Sequence, residues 1–161
     1  MPLYFAYGSN MDSEAMRRRC PKSRALGRAR LVRHRFFIMS SGHGSVKRDT
    51  RMDVHGVLYD LALSDIPALD RYEEVGRGLY QKITQPVLRE GAAPVRAILY
   101  AGASAHEGVA RESYLEGVIA AADDWGFPES YLSYLRSLAG RASVDTRDKG
   151  SSWRAIRLKA L

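Results

Sequence analysis

Strand-like segments fill the first two-thirds of this chain and helical ones the last third, and that order limits the available folds more than any other feature. Leu3–Tyr7 is a short apolar and aromatic run suited to a buried strand. Residues 26–40 read as one extended strand or a bent pair; within them Arg28-Ala29-Arg30-Leu31-Val32-Arg33 places arginines on the wet face. Residues 54–61 (VHGVLYDL) form another strand, and residues 79–89 and 94–101 alternate as two more, joined at Glu90-Gly91. Asp12 or Ser13 is placed to cap a short helix through Arg19. Ser64 caps a second helix from Asp65 to about Glu74, with Pro67 tolerated in its first turn. Two further helices, 110–123 and 128–139, are separated where Trp125-Gly126-Phe127-Pro128 breaks the pattern. This arrangement predicts an α+β fold with a mainly antiparallel sheet that can curl into a barrel. The polar segment 41–50 (SGHGSVKRDT) is expected to be a loop. Residues 143–152 (SVDTRDKGSS) are expected to form a flexible loop, followed by a short strand over 153–158.

With 161 residues, no linker and no repeat, the expectation is a single domain over 1–161, large enough to bury a core without staples. Cys20 is the single cysteine and cannot form an internal disulfide, which fits a reducing compartment. No apolar run approaches the ~20 residues needed to span a bilayer. The opening MPLYFAYGSNM lacks the pattern of a signal peptide, so a cytoplasmic location away from membranes is expected. The net charge of +7 is uneven: eleven Lys and Arg residues, and no acid, lie between Ala15 and Arg48. Such a block attracts anions, but alternation with apolar residues equally describes a solvated strand face, and nucleic acid is not the expected partner.

Several chemistries find no residues to perform them. His34, His43, His55 and His106 are scattered, and one cysteine makes no zinc motif. There is no Gly-rich phosphate loop and no GxSxG elbow. No metal or cofactor is expected. Two segments remain. In Tyr4-Phe5-Ala6-Tyr7-Gly8-Ser9-Asn10 an apolar strand runs into Gly-Ser-Asn and then a helix. Gly8 allows close approach of backbone N–H groups to a carboxylate or oxyanion. An ordinary strand-to-helix turn, with Asn10 as a local cap, uses the same residue types. The second is LDRYEEVGRGLY, residues 69–80. With Ile66 at zero on a helix of ~100° per residue, Leu69 falls near ~300° and Glu73 near ~340°, while Glu74 falls near ~80° beside Asp70. Glu73 therefore sits on the apolar stripe, where an acid is costly unless paired or used. A buried pair with an arginine, or a frayed helix end, accounts for it as well as catalysis does.

Taken together these segments resemble the γ-glutamylcyclotransferase family and its AIG2-like relatives. YFAYGSNM is similar to the family's substrate loop, and LDRYEEVGRGLY to its catalytic stretch. Arg111-Glu112-Ser113-Tyr114 through Gly126-Phe127-Pro128-Glu129-Ser130-Tyr131 resembles its closing helical pair. The resemblance runs from residue 3 to about 138. It implies a small, mixed but mainly antiparallel β-barrel flanked by helices, with the loop at the barrel mouth. It implies Glu73 as catalytic acid/base, Tyr4, Phe5, Ala6, Tyr7, Gly8, Ser9 and Asn10 as substrate-binding, and Tyr80, Tyr100 and Tyr114 as pocket tyrosines. Two departures matter, the first for the chemistry of the site and the second for substrate choice. Glu74 stands where the family often has Gly; continued helix would turn it away from Glu73. Asn10 stands where glutathione-degrading relatives have Leu, which argues against glutathione.

The implied reaction is closure of a small γ-glutamyl substrate to 5-oxoproline by its own α-amine, releasing an amino acid or amine, in a monomer or homodimer. Three alternatives stay open, the first two being a γ-glutamylamine cyclotransferase acting on isopeptide-type substrates and a non-enzymatic binder of anions or nucleic acid that uses the basic 17–35 segment. A transferase with an external amine acceptor is a third.

Overall fold

The computed structural model of the chain describes residues 1–139. The expected loop at 143–152 and strand at 153–158 lie outside the described residues. Two long strands form the frame. Strand β2 (Arg24–Ile38) and β3 (Gly44–Asp60), of 15 and 17 residues, pair antiparallel over nearly their whole length. Residues 26–40 thus form one strand, not a bent pair. Only 39–43 make the turn, closed by Met39 N–H to the His43 carbonyl at 2.8 Å, with Gly42 at φ +86° supplying the left-handed residue. The polar segment 44–50 is strand, contrary to expectation. Its Ser, Lys, Arg and Thr residues look loop-like but pair with 34–38, as His34↔Arg48 to Ile38↔Gly44. The register shifts at Gly27 and Arg33, where φ is +119° and +56°, and such bulges bend a strand sharply enough to help close a small sheet.

Strand β1 (Leu3–Ala6) pairs with β3 from Leu3↔Asp60 to Ala6↔Val57. Strands β4 (Tyr80–Arg89) and β5 (Val95–Gly102) form the expected hairpin. Strand β4 meets β2 at Ala29↔Arg89, and a parallel bridge Tyr4↔Ile98 joins β5 to β1. The order β1-β3-β2-β4-β5 is a closed barrel. All pairings but one are antiparallel, in agreement with the sequence.

Four helices are described. In α1 (Ser13–Arg19) the Asp12 carboxylate accepts from Glu14 N–H at 2.9 Å and Ala15 N–H at 3.1 Å, and Arg17–Arg19 complement the dipole at the far end. Helix α2 (Ile66–Tyr72) follows a 3-10 turn and carries Pro67 in its first turn. Helix α3 (Glu112–Asp124) ends at Gly126 (φ +67°), and α4 covers 129–139. These last two cover the apolar core: Leu115, Val118, Ala122, Leu132 and Leu135 pack with Phe5, Leu31, Phe36, Val54, Leu58 and Leu99. The Trp125 indole N–H donates to the Met11 carbonyl at 2.8 Å, which ties the end of α3 to the turn after β1. Among the described residues no helix is long and apolar enough to cross a membrane.

Candidate functional site

Past Ala6 the first strand ends in a 3-10 turn, Ser9–Met11, closed by Met11 N–H to the Gly8 carbonyl at 3.0 Å. This turn buries Asn10, and every group of its side chain finds a partner. Its Nδ2 donates to the Tyr4 hydroxyl and to Glu73 Oε1, both at 3.0 Å. Its Oδ1 accepts from Arg19. Its backbone carbonyl accepts from the Tyr59 hydroxyl at 3.1 Å. An amide has two donor hydrogens and one acceptor oxygen, so Arg19 on one side leaves the NH2 facing Glu73 and Tyr4.

Glu73 comes to this turn from α2, and the helix ends sooner than its periodicity suggests. Tyr72 is the last helical residue. Glu73 forms the cap at φ −81°, its N–H still bonded to the Leu69 carbonyl at 3.0 Å. Glu74 is then left-handed at φ +49°. Glu74 therefore does not point away from the site as a helical residue would; it borders the same cavity as Glu73. Its charge is answered by Arg77, 2.6 Å away.

Burial raises the Glu73 carboxyl to about 7, with the nearby Arg19 charge pulling the other way. Glu73 forms no ion pair among those of the described residues. The Arg19 guanidinium instead engages Asn10 and lies 3.6 Å from the centre of the Tyr72 ring. The Tyr72 hydroxyl in turn meets Ser9 Oγ at 2.9 Å.

Turn and acid open on a cavity of about 850 Å³, inside the range of small-ligand sites. Tyr4, Tyr7, Gly8, Ser9, Asn10, Glu73, Tyr80, Tyr100 and Tyr114 all line it. Phe5 and Ala6 do not. They sit in the barrel ladder opposite Leu58 and Val57, are almost wholly buried, and belong to the core. The expectation that they contact substrate is corrected accordingly. The tyrosines are held in place: Tyr7 donates to the Tyr100 carbonyl, Tyr80 to the Gly44 carbonyl at 2.7 Å, and Tyr100 to Asp70, itself held by Lys82 at 2.8 Å. Burial pushes the Tyr4, Tyr7, Tyr80, Tyr100 and Tyr114 hydroxyls up, which keeps them protonated at neutral pH. A Cβ on Gly8 would come within 2.9 Å of the Tyr114 hydroxyl, and one on Gly44 within 2.8 Å. Both glycines thus make room for that ring.

Five further residues shape the site and were not singled out from sequence: Arg19, Tyr72, His43, Arg77 and Arg111. Tyr72 and Arg77 lie inside the 69–80 segment beside Glu73 and Glu74; Arg19, His43 and Arg111 lie outside both motifs, and only the folded chain brings them to the site. Burial and the Arg111 charge lower the His43 ring below its usual pKa, so it is neutral at pH 7, and it stacks edge-on against Tyr114 at 5.2 Å. Among the described residues no group of His, Cys, Asp or Glu side chains is placed to hold a metal ion. What the arrangement offers is a carboxyl that titrates near neutrality, beside a turn with close backbone access and several neutral hydroxyl groups.

Residues 53–135 match the model of the AIG2-like family. A solved structure named gamma-glutamyl cyclotransferase is similar at 24% identity, with a TM-score of 0.77, over 84% of this chain and 86% of that one. An uncharacterized protein from Homo sapiens is similar at 25% identity, with a TM-score of 0.76, over 83% of this chain and 85% of that one. A gamma-glutamyl cyclotransferase specific to glutathione, from yeast, is more distant: 11% identity and a TM-score of 0.57, over 88% of this chain and 96% of that one. No curated protein sequence matches.

Proposed function

The chain belongs to the AIG2-like family, and from that premise we propose that it is a γ-glutamyl cyclotransferase with Glu73 as general acid/base. The observation that carries this reading is the meeting of two segments 63 residues apart: a carboxyl raised to about 7, hydrogen-bonded to Asn10 of the Gly8–Asn10 turn at the edge of an open cavity. The structural likeness to a protein named gamma-glutamyl cyclotransferase supports it.

The substrate brings its own nucleophile. Its α-amine is an ammonium at neutral pH and must lose a proton before it attacks the γ-carbonyl. Ionised Glu73 takes that proton. Ring closure makes a tetrahedral intermediate, in which the former carbonyl oxygen carries negative charge. The intermediate collapses when the C–N bond to the departing group breaks; Glu73 returns its proton to the departing nitrogen, and the second proton of the ring nitrogen passes to the released amine, which leaves as an ammonium. Products are 5-oxoproline and a free amine or amino acid; no atom comes from solvent. An attack held in near-attack geometry has a large effective molarity, so placement supplies much of the acceleration. Backbone N–H groups at Gly8 and Ser9 and the neutral tyrosine hydroxyls are the donors available to the substrate carboxylate and the oxyanion. A general base is most effective when its pKa lies near the working pH, which suits Glu73.

The direct test is release of 5-oxoproline, followed by mass spectrometry, from γ-glutamyl amino acids, a γ-glutamyl amine and glutathione. Formation of 5-oxoproline from any of them supports the reading. If none reacts and the protein is retained on nucleic acid in a salt-dependent manner, the binder reading replaces it.

A further inference from the structure

The arginine-rich stretch of β2 takes no part in the site at Glu73, yet it borders a second cavity. Arg28 and Arg30 flank the buried Ala29 and so leave the strand on one face. Arg30 stands opposite His55 of β3 and Leu88 of β4, so these three share that face. With Phe127 and Pro128, from the turn between α3 and α4, they border about 310 Å³, at the small end of ligand-sized cavities. No described residue lines both this cavity and the one at Glu73.

The walls are held in place and their charges are unbalanced. Arg28 Nη1 donates to the Gly126 carbonyl at 2.9 Å, which pins the turn to the sheet. The His55 ring packs 5.6 Å from Phe127 and 4.7 Å from Tyr131, centre to centre. Against Arg28, Arg30 and Arg89 the lining sets one acid, Glu90. Arg30 is held from outside the lining by Asp53 at 2.9 Å. Arg89 finds a neutral partner among the described residues, the Leu26 carbonyl at 3.5 Å. It pairs with Ala29, the neighbour of Arg28, so the two arginines are rooted at one end of the cavity. Glu90 meets Arg28 at 3.1 Å, from a side chain that is 84% exposed. A carboxylate held by one contact and otherwise in water is readily displaced, and its position shows where an anion is received.

Phe127, Pro128 and Leu88 offer an apolar wall to a flat ring. The surplus of guanidinium groups calls for an anion strong enough to take Arg28 from Glu90 and to engage Arg89 as well. A phosphate monoester does both, with close to two negative charges at neutral pH and three acceptor oxygens. We propose that this cavity binds a phosphate monoester of a planar ring compound, of the size of a nucleoside monophosphate. The phosphate takes the place of Glu90 at Arg28 and Arg89, and the ring lies against Phe127 and Pro128. The site is independent of the cyclotransferase reading and stands whether or not 5-oxoproline is formed.

Affinities for adenosine monophosphate, adenosine and inorganic phosphate are measured by calorimetry on the full chain. The nucleotide is expected to bind at least about tenfold tighter than either part, because each part makes only one set of contacts. Arg89→Met, which spares the Arg28 contact with the turn, is expected to weaken the nucleotide about tenfold. Glu90→Gln is expected to tighten it about threefold, whereas Glu14→Gln, the same charge change on α1, is expected to leave it unchanged. Imidazole NMR signals locate the guest: His55 is expected to shift as nucleotide is added, and His43, beside the other cavity, to stay. Absence of binding, equal affinity for phosphate alone, or an affinity untouched by Arg89→Met would overturn the proposal. So would equal responses to Glu90→Gln and Glu14→Gln, which would reduce the effect to overall charge. A shift at His43 in place of His55 would overturn it too, by moving the nucleotide to the first cavity.

Discussion

Asn10 Nδ2 lies 3.0 Å from Glu73 Oε1, and the same nitrogen lies 3.0 Å from the Tyr4 hydroxyl. This contact joins the two segments that sequence alone offers as candidates. It also fixes the acid in a particular way. The amide gives the carboxylate one hydrogen bond without a charge, so Glu73 stays titratable near neutrality. A direct arginine pair would instead drive its pKa down and remove it as a base at the pH where a base is needed.

Replacing Glu73 by Gln keeps the shape and the contact with Asn10 but removes the base. Turnover is expected to fall at least ~100-fold, the scale for losing a general acid/base, with substrate affinity by calorimetry little changed. Near-normal 5-oxoproline release from Glu73→Gln would remove Glu73 from the mechanism.

The raised pKa makes activity and stability move in opposite directions. An unfolded glutamate titrates near 4.5 and folded Glu73 near 7, so the folded state binds the extra proton. Its stability contribution is fully present below the unfolded pKa and is lost as pH rises through the folded one. The loss is on the order of 3 kcal/mol. Turnover, which needs the ionised form, is expected to climb toward pH 7 while the thermal midpoint declines over the same window. Glu73→Gln is expected to flatten that decline and to be the more stable protein at pH 8. Parallel pH series of Tm and of kcat/KM test this; a decline that persists unchanged in Glu73→Gln would assign it to other groups.

The barrel was legible because strand alternation depends on neighbours one and two residues away. The placement of Glu73 on an apolar stripe was legible for the same reason, through the 3.6-residue period. Where the reading failed, the deciding contact is remote or conformational. Residues 44–50 look like a loop by composition, yet the register with 34–38 makes them strand. Nothing in the run Tyr72-Glu73-Glu74 announces the left-handed turn at Glu74 that ends α2 and brings its carboxylate to the cavity edge. Phe5 and Ala6 share the loop's motif with Tyr4 and Tyr7 but are taken by the barrel core. Arg19 and Arg111 are two among many arginines until the fold places one against Asn10 and the other against Gly42.

Arg19 acts on the acid through two routes: its charge favours the ionised carboxylate, and its bond to Asn10 Oδ1 keeps the amide NH2 turned toward Glu73. Arg19→Met is expected to move the acid limb of the kcat/KM profile to higher pH, because both effects stabilise the charged form. Arg19→Lys, which keeps charge but not the fork over Tyr72, is expected to move it less. A lowered rate with an unmoved limb would reduce Arg19 to a structural part of the α1 end.

Gly8 leaves space at the turn after β1 for the Tyr114 hydroxyl. An alanine Cβ there would stand 2.9 Å from the Tyr114 hydroxyl, itself confined on its other side by Gly44. Either the ring or the turn must then move, and a displacement near ~1 Å at a reacting site costs about 100-fold. Gly8→Ala is expected to lower kcat/KM at least ~10-fold while leaving Tm within a few degrees. Adding Tyr114→Phe deletes the oxygen that collides, so the double variant is expected to be more active than Gly8→Ala alone, even though Tyr114→Phe by itself brings a modest loss. That reversal of sign distinguishes a collision from a lost contact. A double variant no better than Gly8→Ala would show that the turn needs glycine for access of its N–H groups to substrate, and that Tyr114 is not what sets its position.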